Sequence, residues 1–261
     1  MNQSLVGRVL VLTGGAGGIG QYEARYFAER GAKVVLADIN ADAGERLAAD
    51  LVASGLNCGF VSLDVTDPAS IDVAFETVER RWGGVQLLVA NTGIAGPAVP
   101  LVEADPAAWV ETININLCGV ALTCRAALPG MIHRNWGRIV LTGSTTGKRP
   151  VAGRTPYAAS KLGLVGLART LAHEVGQYSI TVNVVSPFDV ESPRIEGMFA
   201  RMAGEQGLTP EQIRVNETAL TAIGRLVSME DVAKTVEYLC SDLAAGVTGQ
   251  DLNVSSGAVM Y

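Results

Sequence analysis

The sequence predicts a doubly wound α/β fold: a parallel sheet of about seven strands with helices on both faces, in a single domain. Three observations carry that reading. Short apolar runs rich in β-branched residues alternate along the chain with longer helical patterns. The apolar runs are continuous, which fits strands buried on both faces of a parallel sheet better than strands with one wet face. The 261 residues contain no linker, internal repeat or low-complexity tract that would divide them, and at about 150 residues per domain they suit one large domain.

The elements follow in order. Residues 8–13 read as the first strand, followed by a glycine-rich turn and a helix over 18–30. A second strand (33–38), a second helix (41–54) and a third strand (58–63) come next. Pro68 opens the following helix, because its missing N–H is unpaired in a first turn anyway. Residues 86–91 form the fourth strand. Pro106 opens a long helical region that runs to about Pro129, with a break expected near 116–119. Strands at 138–143 and 180–186 flank a helix at 156–177, and 251–255 reads as the seventh strand. Residues 188–224 are helical but interrupt the alternation. They read as a substrate lid inserted over one edge of a nucleotide-binding core made of 1–187 and 225–261.

Composition excludes several classes. An apolar fraction of 48% with 18% charged residues rules out disorder. No apolar run approaches the roughly 18 residues that cross a bilayer, so no membrane partner is expected. The net charge is −6 and basic residues never run longer than two, which argues against a nucleic-acid partner. The opening residues show no basic leader followed by an apolar stretch and a cleavage site, so the expected location is cytoplasmic. Cys58, Cys118, Cys124 and Cys240 form no C-x-x-C pair and read as buried thiols in a reducing compartment. With His133 and His173 as the two histidines, which read as surface or packing residues, no metal site is expected.

The turn Thr13-Gly14-Gly15-Ala16-Gly17-Gly18-Ile19-Gly20 lies between the first strand and its helix, where such folds bind a dinucleotide pyrophosphate. It reads in two registers. Gly15, Gly17 and Gly20 fit G-x-G-x-x-G, whereas Gly14, Gly18 and Gly20 fit G-x-x-x-G-x-G preceded by Thr. Asp38 ends the second strand, followed by Ile39 and Asn40. A carboxylate there accepts hydrogen bonds from the adenosine ribose and repels a 2′-phosphate, which predicts NAD over NADP. Asp38 also reads as an N-cap for the next helix. Tyr157 and Lys161 stand four apart on one helical face. An ammonium beside a phenol lowers its pKa and suits it to proton transfer near neutrality. Ser144 follows the fifth strand, where its hydroxyl can hold a substrate oxygen beside the tyrosine. It lacks the G-x-S-x-G elbow of a hydrolase nucleophile.

With these residues in place, the chain resembles the classical short-chain dehydrogenases/reductases over essentially its whole length. The motifs are Thr13 to Gly20, Asp64-Val65, Asn91-Thr92-Gly93, Asn116 in the long helix, Ser144, Tyr157 with Lys161, and Ser186-Pro187-Phe188. Gly224-Arg225-Leu226, Glu230 to Ala233 and Val247 to Gln250 fit as well. The resemblance implies an oxidoreductase that interconverts a secondary alcohol and a ketone, with NAD as cofactor. Tyr157 would exchange the proton, Lys161 would lower its pKa and hold the nicotinamide ribose, and Ser144 would position the substrate. Asn116 would support a water relay to Lys161. Gly14, Gly18, Ile19, Gly20, Asp38, Ile39, Asp64, Val65, Asn91, Gly93, Val190 and Ser192 would contact the cofactor. Most members associate through the helices near 105–130 and 156–177, which implies a homotetramer or homodimer. The chain departs from the pattern at Thr92 (usually Ala), Phe188 (usually Gly) and Ser255-Ser256-Gly257 (usually D-G-G).

Expected pocket walls are Ala95, Gly96, Thr145, Thr146, Val151, Arg154, Phe188, Arg194 and Met198. Arg154 and Arg194 suggest an anionic substrate, such as a hydroxy acid or hydroxysulfonate, unless they pair with Glu191 or Glu196 at the surface. Phe188 and Met198 favour a neutral or cyclic alcohol. The alternative function is a nucleotide-binding regulator or scaffold on the same fold.

Overall fold

The computed structural model describes residues 5–261. The reading that no leader opens the chain rests partly on residues 1–4, which lie outside the described residues. The strands are β1 (Val9–Thr13), β2 (Lys33–Asp38), β3 (Cys58–Ser62), β4 (Leu87–Ala90), β5 (Gly137–Thr142), β6 (Ile180–Pro187) and β7 (Asp251–Val254). They form one parallel sheet in the order β3-β2-β1-β4-β5-β6-β7. Val11 sits between Val35 of β2 and Leu88 of β4, which fixes the central register. β1, β4 and β6 are buried at every position, whereas edge strand β7 is half-buried throughout.

Alternate strand residues face two helical layers. Val9, Val11, Val35 and Leu88 point to a layer built from α3 (Pro68–Trp82), α5 (Val120–Arg134) and α6 (Thr155–Val175). Leu10, Leu12, Leu36 and Val89 point to α1 (Gly18–Glu29), α2 (Ala41–Ala53) and α9 (Met229–Cys240). Each fully buried aliphatic side chain contributes roughly 1.5–3 kcal/mol, so the two-sided burial of the central strands dominates the stability of the sheet. Helix starts follow the local sequence. Asp67 and Asp105 accept backbone N–H groups at the N-termini of α3 and α4 (Pro106–Ile113), each followed by a proline at the first helical position. Over the sheet edge, α7 (Pro193–Gln206) and α8 (Pro210–Ala219) build a small core of their own from Ile195, Phe199, Ala203 and Ile213.

Four details differ from the sequence reading. The long helical region does not break at 116–119. It widens into a π-turn over Asn114–Gly119 and continues. Nor does it stop at Pro129. α5 runs on to Arg134, because Ala127 and Met131 on either side of the proline are buried, and it ends where Asn135 turns left-handed at φ 49°. The cysteines are all free, but only Cys124 and Cys240 are buried; Cys58 is half-buried and Cys118 exposed. Finally, α9 escaped the periodicity reading. Its signal is a capping box in which Ser228 and Asp231 satisfy each other's backbone N–H.

The continuous helical stretch Pro106–Arg134 has 29 residues and is apolar enough, by length and composition, to span a membrane. Here it is packed within the protein, burying Val120, Thr123, Cys124, Ala127 and Met131.

The departure at the C-terminal tail has a conformational consequence. Ser255 Oγ accepts the Val259 N–H at 3.3 Å and donates to its carbonyl at 2.9 Å, which ties the tail down. Ser256, however, sits in the left-handed region at φ 51°. A non-glycine residue there costs about 1–2 kcal/mol, so Ser256→Gly is expected to raise the unfolding free energy by about 1 kcal/mol in urea denaturation.

Candidate active site

A cleft of about 1070 Å³ opens at the carboxyl edge of the sheet. It is lined by the turn after β1, the ends of β2 to β6, and α7, as the parallel topology requires. Gly14, Gly18, Ile19, Asp38, Ile39, Asp64, Val65, Asn91, Gly93, Ser144, Tyr157, Lys161, Val190 and Ser192 all line it, as do Arg154, Phe188 and Arg194. Gly20 and Asn116 stand one layer behind. Ala95 and Gly96, expected as walls, are not part of the lining; Gly96 is pressed against Thr112.

The glycine turn resolves its two registers. Gly14 and Gly18 have φ of 66° and 46°, conformations that side chains avoid. A Cβ on Gly20 would stand 2.3 Å from the Gly14 carbonyl oxygen. Gly17, by contrast, has open space around it and extended backbone. The G-x-x-x-G-x-G reading is the one the backbone uses. α1 begins at Gly18 with no side-chain cap and no acidic residue in its first turn, so its N–H groups face the cleft unmasked. Thr13 Oγ1 accepts the Thr92 N–H at 3.2 Å, and Asn91 Nδ2 donates to the Gly14 carbonyl at 3.4 Å. Thr92 thereby packs directly on Gly14 and anchors the turn to the end of β4.

Asp38 accepts the backbone N–H of Ala16 and that of Asn40, each at 3.0 Å. It does not cap α2; Asn40 does, by accepting the Ala43 N–H. Asp64 holds Thr66 through the backbone N–H at 2.8 Å and the hydroxyl at 2.7 Å. These residues, with Ile39 and Val65, form the end of the cleft at β2 and β3, where no lysine or arginine is among the lining residues.

Tyr157 sits at the other end, in the first turn of α6. Burial pushes its pKa up, but Lys161, Arg194, a hydrogen bond with Ser144, and Arg154 outweigh that and hold the phenol below its ordinary value. Ser144 Oγ also accepts the Thr146 N–H at 3.1 Å, which fixes the hydroxyl. Lys161 is buried and donates to the Thr142 carbonyl at 2.6 Å. Burial holds its own pKa down, with Tyr157 opposing and Arg194 reinforcing that shift. Asn116 is fully buried. Its Oδ1 accepts the Ile94 N–H at 2.8 Å, while Nδ2 donates to the Ile94 carbonyl at 2.9 Å and to Ser160 Oγ at 3.2 Å. The π-turn aims this amide at the loop after β4. A Cβ on Gly93 would stand 3.2 Å from both Asn116 Oδ1 and Lys161 Nζ, a tight contact where these groups converge.

Phe188 lines the cleft, yet it is mostly buried in the core layer that faces α1 and α9, with the Arg149 guanidinium 5.6 Å from its ring centroid. Its φ is not left-handed, so replacing glycine here introduces no backbone strain. Ser192 caps α7, accepting the Ile195 N–H at 3.3 Å and donating to the Val190 carbonyl at 3.0 Å. Sequence reasoning missed Arg149, Asp189, Arg201 and Glu217, which also line the cleft. Burial, reinforced by Glu217 and partly relieved by Arg149, pushes Asp189 up to about 6. The adjacency of Phe188 to Asp189 was a local clue; Glu217 arrives from α8 and left none.

Comparison with known proteins agrees with this geometry. A family model described as enoyl-(acyl carrier protein) reductase matches residues 14–259. The chain is 37% identical over 257 residues to the cis-4-hydroxycyclohexanecarboxylate dehydrogenase of Sinomonas cyclohexanicum, covering 98% of each chain. It superposes with a TM-score of 0.92 and 32% identity on an actinorhodin polyketide ketoreductase variant with NADPH, covering 97% of this chain and 98% of that one. An NAD⁺-bound xylitol dehydrogenase gives a TM-score of 0.91 at 26% identity, covering 97% and 99%. A family model over residues 14–259 and a relative 37% identical across 98% of the chain show that the chain belongs to the classical short-chain dehydrogenase/reductase family.

Proposed function

We propose that the protein is an NAD-dependent oxidoreductase that interconverts a secondary alcohol and a ketone, with Tyr157 as general acid/base. The observation that carries this is a phenol held below its ordinary pKa by a serine hydroxyl and three cations at the floor of a nucleotide-sized cleft. Such a group takes a proton from an alcohol oxygen or returns it to a ketone oxygen near neutral pH. Ser144 holds the substrate oxygen beside the phenol. Lys161 keeps the phenolate accessible and would hold the cofactor ribose. Asn116 fixes Ile94 and thus the wall beside Lys161. Gly14, Gly18 and Gly20 would let the backbone approach a pyrophosphate, and Val190 and Ser192 would hold the nicotinamide end. The bound nicotinamide supplies the hydride chemistry. The chain's own contribution is alignment and proton transfer.

The preference for NAD rests on Asp38. Its carboxylate holds the turn through Ala16 and keeps acceptor sites for ribose hydroxyls, and no cation at that end of the cleft would neutralise a 2′-phosphate. Losing a charge-assisted hydrogen bond of this kind costs about 1.5–3 kcal/mol. Asp38→Ser is therefore expected to lower kcat/KM for NAD⁺ roughly 10- to 100-fold and to narrow the preference over NADP⁺. A wild type that favours NADP⁺ would overturn the assignment. The substrate panel should begin with 4-hydroxycyclohexanecarboxylate, the compound named for one relative, alongside neutral cyclic and acyclic secondary alcohols. NADH binding without turnover across a broad panel would favour a regulator. The proposed homotetramer or homodimer, formed through the long helices α5 and α6, is checked by light scattering.

A further inference from the structure

The substrate end of the cleft carries four arginines: Arg149, Arg154, Arg194 and Arg201. Two of them are matched. Arg149 lies with Asp189 and Glu217, and Arg201 pairs with Glu205 at 3.7 Å. The other two have no carboxylate partner among the described residues. Arg194 opens α7 between Glu191 and Glu196, but both of those carboxylates are taken by Arg214 of α8. Arg154 is half-buried, with its guanidinium 4.9 Å from the centroid of the Tyr157 ring. The charges that act most on it are Tyr157, Arg194 and Arg201, so its charged neighbours other than the phenol repel it. Arg154, half-buried over the Tyr157 ring, and the solvent-exposed Arg194 line the same cleft near enough to repel each other, and an anion between them would relieve that repulsion.

We infer that Arg154 and Arg194 form a subsite for a carboxylate on the substrate, placed a few bonds from the hydroxyl or keto carbon that faces Tyr157. This rests on the oxidoreductase reading and specifies its substrate class. Guanidinium matches a planar carboxylate in a two-pronged way and gives up its hydration more easily than an ammonium. The arrangement also assigns distinct tasks to the two ends of one substrate. Ser144 and Tyr157 take the reacting oxygen, and the arginine pair takes the charge. Because Arg154 comes from the loop before α6 and Arg194 from the segment over the sheet edge, the anion would bridge core and lid.

The test separates charge recognition from catalysis. Cyclohexanecarboxylate and cyclohexanecarboxamide are titrated calorimetrically into the wild type and into Arg154→Lys, Arg154→Gln, Arg194→Gln and the double glutamine variant, with and without NAD⁺. Turnover of 4-hydroxycyclohexanecarboxylate and of its carboxamide is followed in parallel. The wild type is expected to favour the carboxylate roughly 10- to 100-fold. That preference should shrink as salt is raised, fall partway in Arg154→Lys, and disappear in the double variant. Equal binding of acid and amide by the wild type, or a preference that survives both the salt titration and the double substitution, overturns the subsite. Turnover of both alcohols at the same kcat/KM overturns it too, and leaves the oxidoreductase reading intact. A carboxylate preference that the variants abolish, with neither alcohol oxidised, upholds the subsite and counts against the oxidoreductase reading instead.

Discussion

Tyr157→Phe is expected to lower kcat/KM by about 10²- to 10⁴-fold while NADH still binds, because the ring stays in place and only the ionisable oxygen is lost. The sign of the pH dependence follows from the direction of the phenol's shift. Burial works against ionisation, but Lys161, Arg194, Ser144 and Arg154 together bring the pKa below that of a free tyrosine. Alcohol oxidation needs the phenolate, so its rate rises as pH climbs toward that depressed pKa and levels off above it. Ketone reduction needs the protonated phenol and falls over the same range. Removing a cation raises that pKa: Arg194→Gln should shift both the rising limb of oxidation and the falling limb of reduction to higher pH. A tyrosine-to-phenylalanine variant that retains more than a tenth of wild-type kcat/KM, or limbs that stay fixed when Arg194 is neutralised, would contradict this account.

Replacing Glu23 by leucine is expected to stabilise the protein, increasingly so as pH rises. Glu23 lies on the buried face of α1, fully excluded from solvent, and neither of its carboxyl oxygens has a hydrogen-bond partner among the described residues. Burial pushes its pKa up to about 8, and it in turn helps push the thiol of Cys240 on α9 up to about 12. A carboxyl whose folded pKa lies above its unfolded value favours the folded state most below the unfolded pKa. That advantage is lost as pH rises from about 4.5 through about 8. At pH 7 the wild type therefore forgoes roughly 2–4 kcal/mol relative to an uncharged side chain of similar size. Urea denaturation of wild type and Glu23→Leu between pH 5 and pH 9 should show a small difference at the acid end that widens steadily. A difference independent of pH would mean that the Glu23 carboxyl ionises in the folded protein as it does in the unfolded chain, and so is hydrated or paired rather than buried alone.

Much of this was legible in the sequence, for a physical reason. Strands buried on both faces must be continuously apolar, so Val9 to Thr13 and Ile180 to Pro187 announce themselves without an alignment. The proposed catalytic residues could be picked out because proton transfer restricts which side chains can serve and at what helical spacing, as with Tyr157 and Lys161. What escaped depends on contacts between distant segments. The two glycine registers were alike by spacing; the resemblance pointed to Gly14, Gly18 and Gly20, and the φ of Gly14 and Gly18 and the Gly14 carbonyl against Gly20 agree with it. Arg194 looked equally able to pair with Glu191 or Glu196 until Arg214, twenty residues on, proved to hold both. Glu23, with Gln21, Tyr22 and Arg25 as sequence neighbours, gives no local sign of burial, which comes from the packing of α1 in the fold. Pro129 looked like a helix stop, yet the burial of its neighbours carries the helix past it.

The π-turn at Asn114–Gly119 makes this site depend on chain length as much as on chemistry. Such a turn accommodates one residue more than a regular one, so deleting a single residue there would let the helix close with ordinary spacing. Each residue accounts for about 100° of rotation about the axis. Because the bulge absorbs that rotation, α4 and α5 would stay nearly in phase, but its loss would turn the Asn116 amide away from Ile94 and Ser160. Over evolutionary time the stretch can therefore tolerate substitutions at its exposed positions but not a frame-preserving deletion, since the more regular helix would be the one that leaves the wall beside Lys161 unsupported.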